Sequence, residues 1–145
     1  MNYATRPELL GLTHGERTLG DHLRAAAGYQ TALVEKWHLG KGDGFHPNQR
    51  GFDHFCGMLG GRHGYLPKPE KNQLQRNGEP LNSFFHPYLT DHFTEASLKW
   101  LGVQTEKPWF LFLSYNAPHG PLQAPENDLA KFIHIKDKKR RTTQL

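Results

Sequence analysis

Residues 31–40 read TALVEKWHLG, and this short run holds both the clearest strand of the chain and its clearest chemistry. Residues 31–34 are small, apolar or β-branched, which predicts a buried strand. The strand ends in Lys36 and His38, separated by Trp37, and glycines follow. Ligands of α/β proteins bind beyond the carboxyl ends of strands, so these side chains predict an anion site there.

Lys36 and His38 differ in what they offer to an anion. A lysine is a point charge on a flexible stem that suits a phosphate- or sulfate-like group, and a histidine can donate or accept a proton near neutral pH. Alternate residues of an extended segment point the same way, so both can face one pocket while Trp37 packs behind them. An exposed lysine next to a structural histidine would have the same spacing, so the spacing alone leaves both interpretations open.

A second apolar run repeats the arrangement later in the chain. Residues 109–113 read WFLFL, which predicts a strand covered on both faces. His119 follows between Pro118 and Pro121, in a loop whose backbone is unusually fixed. Proline-rich loops are common after strands, so His119 is a weak signal by itself. With Lys36 and His38, it suggests chemistry on an anionic oxyester.

The remaining patterns define the fold class. Two helices are predicted, one beginning at a Thr18 cap and ending at Gly28, the other running from about residue 90 to 103. Between them we expect a polar loop, a short helix and an antiparallel hairpin turning at Asn77-Gly78, at residues 41–51, 52–59 and within 64–87. This order predicts an α/β fold with a mostly parallel sheet flanked by helices.

Composition narrows the class of protein. The 145 residues, 36% hydrophobic and 22% charged, suit one domain or part of one. Neither a membrane span nor a signal peptide is expected, which leaves the compartment open. The formal charge of +4 owes much to the basic run at residues 136–141, more typical of a solvated terminus than of a nucleic-acid patch. The single Cys56 has apolar neighbours and predicts a small buried hydrophobe.

Several separated motifs together resemble one family. They are EKWHLG at 35–40, RGFDHF at 50–55, GMLGG at 57–61, KPWFL at 107–111 and APHGPLQAP at 117–125. In order and approximate spacing they are similar to the central part of the sulfatase family, closest to its arylsulfatase-like and glycan-directed branches. The resemblance makes residues 18–145 a partial sulfatase catalytic domain, and residues 1–17 a poorly matching N-terminal segment. The implied fold is an incomplete alkaline-phosphatase-like α/β domain, in which edge strands such as 109–113 would be exposed.

The resemblance also implies roles for individual residues. Sulfatases hydrolyse sulfate esters with a formylglycine nucleophile at a calcium ion. In that scheme Lys36 would bind the sulfate and the leaving oxygen, and His38 would hydrogen-bond the hydrated formylglycine and help collapse the sulfated intermediate. His119 would contact sulfate or protonate the departing alcohol. Arg62 and His63, in a glycine-rich loop, would reach the organic part of the substrate, although a solvated loop is an equal alternative.

Important parts of the family pattern do not occur in this sequence. It contains no Cys/Ser-x-Pro-x-Arg motif, from which the nucleophile arises, and no Asp-Asp pair for calcium. We therefore expect the sulfate-binding half of an active site, inactive in isolation, with no metal ligands of its own. The expected partner is a sulfate-ester small molecule or a sulfated glycan, not nucleic acid or membrane. Alternatives are a non-catalytic anion-binding module, a phosphoesterase on the same fold and, ranked lower, a histidine-based transition-metal protein.

Overall fold

The fold was analysed in a computed structural model, which describes residues 11–66, 73–104 and 106–143. Helices and strands alternate over much of this length. In chain order they are α1 (Leu19–Ala27), β1 (Gln30–Lys36), a 3₁₀ turn (Pro47–Gln49), β2 (His54–Met58), β3 (Leu74–Arg76), β4 (Glu79–Pro80), α2 (Leu89–Gly102), β5 (Trp109–Ser114), α3 (Glu126–Ala130) and α4 (Lys138–Thr142).

The five strands form one sheet in the order β4-β3-β2-β1-β5. Strand β1 is central and pairs in parallel with both β2 and β5. Strands β3 and β4 extend the sheet as an antiparallel hairpin. Its turn residues Asn77 and Gly78 have φ of 50° and 91°, the left-handed conformation that a tight hairpin requires. The predicted α/β class, with a parallel sheet core and a hairpin at Asn77-Gly78, is confirmed.

Both predicted long helices are present. The Thr18 hydroxyl accepts a hydrogen bond from the Asp21 amide, and the Asp21 carboxylate accepts one from the Thr18 amide, which completes a capping box. Helix α1 ends at Gly28, whose φ of 63° suits glycine. Helix α2 buries Leu89, Phe93 and Ala96 against one face of the sheet. The other face carries a separate apolar cluster around Leu33, Trp37, Phe52 and Phe55.

The helix expected at residues 52–59 is wrong, because this segment contains strand β2. Its side chains alternate between the two faces of the sheet: Phe55 joins the cluster with Trp37, while Cys56 and Met58 join the cluster under α2. The run of bulky residues suited a helical face and a strand equally, and Gly57 disfavours a helix. Pairing with β1 on one side and β3 on the other decided for the strand.

The loop at residues 41–51 is less polar in its packing than the sequence suggested. Phe45, Pro47 and Arg50 are all buried within it. The Arg50 guanidinium donates hydrogen bonds to the carbonyl oxygens of Leu12, Thr13 and Glu16, at 3.0, 3.0 and 2.6 Å. The loop therefore anchors the segment before α1 instead of lying free in solvent.

The expectation that both faces of β5 are covered is wrong, because none of its side chains is buried. The strand also lies at the edge of the described sheet. Trp109 and Phe112 are 50% and 47% exposed. The other expectation, an exposed apolar edge at residues 109–113, matches this arrangement. No helix in the described ranges has both the length and the apolar character needed to cross a bilayer.

Candidate functional site

The carboxyl ends of β1, β2 and β5 meet at one edge of the sheet. Lys36 is opposite Met58 of β2, and Glu35 is opposite Ser114 of β5. The loops that follow these three strands therefore begin side by side. This is the edge at which open α/β sheets bind ligands, and the predicted site residues follow the strands there.

Lys36 and His38 lie at the end of the central strand. Lys36 is half-buried and His38 is exposed. The Trp37 amide donates to the Met58 carbonyl at 3.0 Å and the His38 amide to the Leu59 carbonyl at 3.3 Å, so the segment continues along β2 past the end of β1. Trp37 itself is buried and its indole N–H donates to the Phe45 carbonyl at 2.9 Å. The predicted inward packing of Trp37 is confirmed. His38 has a φ of 60°, so the segment is not extended there, and a pocket shared by Lys36 and His38 stays a prediction.

The His38 ring rests against the loop after β2. A Cβ built on Gly61 would overlap the His38 imidazole, so a side chain at this position would displace the ring from its present orientation. His38 also has a φ of 60°, a conformation that is uncommon outside glycine. Glycine at 61 and the bent backbone at 38 together place the imidazole at the mouth of the loop.

His119 is exposed, but two contacts hold its backbone and a third holds its ring. Its amide donates to the Asn116 carbonyl at 2.8 Å, its carbonyl accepts from the Tyr65 hydroxyl at 2.8 Å, and its Nδ1 is 2.8 Å from the Gly120 carbonyl. A carbonyl can only accept, so Nδ1 carries the hydrogen and the neutral ring keeps its free lone pair on Nε2. His119 can thus present an acceptor, or a donor when protonated, in a fixed orientation.

The loop after β2 is joined to the loop after β5. His63 is half-buried, and its carbonyl accepts a hydrogen bond from the Asn116 side chain at 3.1 Å. The Tyr65 amide donates to the Gln123 side chain at 2.9 Å. His63 and His119 therefore belong to one connected network, while Arg62 is exposed beside it. The sequence did not point to Asn116, Tyr65 or Gln123, because nothing in their local context marks a loop anchor.

Glu35 is the charged residue that sequence reasoning missed at this edge. It is 4% exposed, and burial raises the pKa of its carboxyl group to about 8, against the lowering effect of the Asn116 and Lys36 amides and of the Lys36 charge. Burial also raises the pKa of Tyr65 to about 12, with Glu35 and Tyr88 adding to the shift. The available signal was an acidic residue that directly follows a buried apolar run.

A cavity of about 300 Å³ lies beside the His119 loop. Its walls include Pro118 and Gln123 from that loop, and Tyr88 and Asp91 from the start of α2. The cavity is large enough for part of a small organic molecule, although His119 itself is not among its lining residues.

The described residues do not supply a metal site of their own. No group of three or more His, Cys, Asp or Glu side chains that could hold a metal ion occurs in the described ranges. Cys56 is a free buried thiol whose pKa is raised by burial, as expected for a small core residue. The described residues at this edge therefore do not fit a calcium ion.

The sequence is similar to those of known sulfatases. A family model described as Sulfatase matches residues 2–144. The chain is 30% identical over 132 residues to an arylsulfatase of Klebsiella aerogenes, covering 85% of this chain and 28% of that protein. It is 30% identical to N-acetylgalactosamine-6-sulfatase of Mus musculus, with 85% and 26% covered, and 35% identical to arylsulfatase J of the same species, with 83% and 21% covered. The chain thus spans about a quarter of the length of these relatives.

Solved structures show the same similarity. The fold matches that of Ps i-CgsB in complex with k-i-k-neocarrahexaose with a TM-score of 0.82 and 33% identity, covering 92% of this chain and 33% of that one. The PsFucS1 sulfatase from Pseudoalteromonas sp. matches with a TM-score of 0.58 and 20% identity, covering 89% and 34%, which shows a shared fold.

Proposed function

The chain belongs to the sulfatase family, and we propose that it carries the sulfate-binding part of a sulfuric ester hydrolase site at the carboxyl edge of β1 and β5. The observation that carries this proposal is the parallel pairing of Glu35 with Ser114, since it makes the Lys36 strand end and the His119 loop neighbours. The domain division at residue 18 stays a prediction.

Lys36, His38 and His119 are the proposed catalytic residues. A sulfate ester presents oxygens on which negative charge builds up, and an ammonium group together with imidazole donors stabilises that charge. Lys36 would bind the sulfate. His38 would hydrogen-bond the group that attacks sulfur. His119, whose Nδ1–H donates to the Gly120 carbonyl, would with a proton on Nε2 donate to sulfate or protonate the leaving oxygen, and would then remain as the neutral imidazole.

Arg62 and His63 are proposed to contact the organic part of the substrate. Both follow Gly61, against which the His38 ring rests, and the His63 carbonyl is bonded to Asn116. The proposed substrate is a sulfate ester, either a small molecule or a sulfated glycan. The names of the arylsulfatases and of N-acetylgalactosamine-6-sulfatase support this class.

We expect this chain alone to bind such esters without turning them over. Its 145 residues contain no Cys/Ser-x-Pro-x-Arg motif to supply the family's nucleophile. In this chain the described residues offer cationic and imidazole groups toward an anion.

Calorimetric titration tests the proposal. Inorganic sulfate and 4-nitrophenyl sulfate should bind saturably, and Lys36→Ala should weaken binding by roughly tenfold or more, because a charge-assisted hydrogen bond is lost. His38→Ala and His119→Ala should each weaken binding of the aryl sulfate. Release of 4-nitrophenol by the purified chain would contradict the expected lack of turnover.

Matched variants control for non-specific charge effects. Lys107→Ala removes an exposed lysine at the opposite edge of the sheet, and His22→Ala removes an exposed histidine on α1. Neither should change sulfate binding. Equal losses in these controls would show that overall charge, and not the proposed site, governs binding. Tighter binding of inorganic phosphate than of sulfate would favour a phosphoesterase instead.

A further inference from the structure

Glu35 is a buried carboxyl group at the centre of the proposed site, yet the proposed chemistry gives it no task. It lies on the central strand β1, directly before Lys36, between Gly57 of β2 and Ser114 of β5. Only 4% of the residue is exposed. A group of this kind is costly to bury, so its presence calls for a physical explanation.

Two independent features make Glu35 costly at this position. Its φ of 83° lies in the region that favours glycine. One carboxyl oxygen, Oε2, is buried without a hydrogen-bond partner among the described residues, and Asn116 Oδ1 is in the same condition. Both of these atoms are acceptors, so the site has more buried acceptors than donors. A proton on Glu35 would turn one carboxyl oxygen into a donor and reduce this excess.

The partners of Glu35 connect it to the rest of the site. The backbone amides of Lys36 and Asn116 both lower the pKa of Glu35, so both lie close to its carboxyl group. Asn116 also binds the His63 carbonyl through its side chain and the His119 amide through its own carbonyl. The carboxyl group of Glu35 therefore lies between the end of β1 and the loop after β5, next to Asn116, which contacts both His63 and His119.

We propose that Glu35 is a positioning residue that holds the His119 loop against the Lys36 strand end and that supports anion binding while it is protonated. This inference rests on the proposed function, since it concerns the same sulfate site. Removal of the carboxyl group should loosen the loop, and ionisation should place a negative charge beside Lys36 and oppose the anion.

The groups around Glu35 determine the pH at which its carboxyl group ionises. Lys36 is the charged neighbour on its own strand, and the Asn116 amide faces it from the loop after β5. Tyr65, on the loop after β2, is near enough for the charge of Glu35 to raise its pKa. Burial outweighs the lowering influences and keeps the pKa of Glu35 near 8, while Tyr65, whose pKa is about 12, stays neutral. Anion affinity should therefore decline as the pH rises through about 8.

The test compares sulfate titrations of the full chain at about pH 6.5 and pH 9 in the original protein, Glu35→Gln and Glu35→Gly. The original protein should lose affinity several-fold between the two pH values. Glu35→Gln keeps a polar group next to Asn116 but cannot ionise, so its sulfate affinity should fall less between the two pH values. The fall that remains in this variant measures the contribution of the histidines. Glu35→Gly adopts the positive φ of this position easily but removes the side chain next to Asn116. It should therefore bind sulfate roughly tenfold more weakly at both pH values.

Amide hydrogen exchange provides a readout without ligand. The Asn116 and His119 amides should exchange faster in Glu35→Gly and at the original rate in Glu35→Gln at about pH 6.5. Unchanged exchange in Glu35→Gly, or the same pH dependence of affinity in Glu35→Gln as in the original protein, would overturn the inference. Lys36→Ala separates the two proposals: sulfate binding unaffected by this variant defeats the proposed function, whereas binding that needs Lys36 and ignores Glu35 defeats the positioning role alone.

Discussion

Two buried ionisable residues, Arg50 and Glu35, differ in how well their polar atoms are satisfied. Arg50 is 5% exposed and donates to three backbone carbonyls, so its charge is compensated by dipoles. Glu35 is 4% exposed, and one of its oxygens is without a partner among the described residues. Hydrogen bonds offset the cost of burying a charge, and an uncompensated buried charge lowers stability unless the group is neutralised.

Stability should fall with rising pH because of Glu35. The ordinary pKa is 4.5 and burial raises it to about 8, so between these values the unfolded chain has lost a proton that the folded chain keeps. The unfolding free energy then decreases by at most about 1.4 kcal/mol per pH unit across this window and levels off above it. Urea unfolding at about pH 5, 6.5 and 8 measures this. Glu35→Gln should remove the decline, and the exposed Glu79→Gln should not; parallel curves for all three proteins would refute the explanation.

Arg50→Lys should destabilise the protein by roughly 2 kcal/mol, because one ammonium group cannot reach the three carbonyls that the planar guanidinium binds. The exposed Arg17→Lys should change the unfolding free energy by less than about 0.5 kcal/mol. Chemical denaturation of both variants at one pH measures the difference. Equal small effects would mean that Arg50 does not anchor the segment before α1.

At the scale of elements, the pairing of β1 with β2 depends on the absence of a side chain at Gly57. A Cβ built there would overlap the Glu35 carbonyl oxygen. The left-handed backbone of Glu35 and the glycine opposite it are therefore complementary features of one strand pair. The same close approach recurs where Gly20 of α1 meets Gly51, again with no room for a Cβ.

Gly57→Ala should consequently destabilise the protein by about 2 kcal/mol or more, since the clash is with backbone that cannot rotate away. Gly102→Ala, at the end of α2 with open space around it, provides the control. It should be neutral or stabilise by up to about 1 kcal/mol, because alanine favours a helix over glycine. Thermal unfolding of the two variants tests this, and a neutral Gly57→Ala would contradict the packing of β1 on β2.

At the scale of the whole molecule, the described sheet ends in an apolar edge. Strand β5 pairs with β1, and Phe112 on it is 47% exposed. An adjoining apolar groove of about 250 Å³ is lined by Leu12, Leu19, Trp37, Leu39 and Phe110, among others. Exposed apolar edge strands promote association between chains.

Phe112→Lys should therefore reduce self-association of the chain, because a charged side chain disfavours strand addition at an edge. Leu98→Lys makes a comparable change at a residue that is 57% exposed, but on helix α2. It should have little effect. Light scattering over a range of concentrations measures both, and equal improvement by the two variants would attribute association to general hydrophobicity.

Much of the fold could be predicted from local patterns. The cap at Thr18, the stop at Gly28 and the Asn77-Gly78 turn are short-range features, and each appears where expected. Strand β2 could not be predicted this way, because the run from Phe52 to Leu59 fits a helix or a strand equally well until its partners are known. The edge position of β5 also depends on strand order, which no local pattern contains.

The sequence by itself determined the family resemblance, the α/β order of elements and the identity of Lys36, His38 and His119 as candidate site residues, because each depends on residue type and spacing along the chain. Tertiary structure alone decided that the His119 loop is joined to the His63 loop through Asn116 and Tyr65, and that Glu35 is buried beside Lys36 with a pKa near 8. Burial and hydrogen bonding between distant segments produce these properties, and they arise only when β1, β2 and β5 come together.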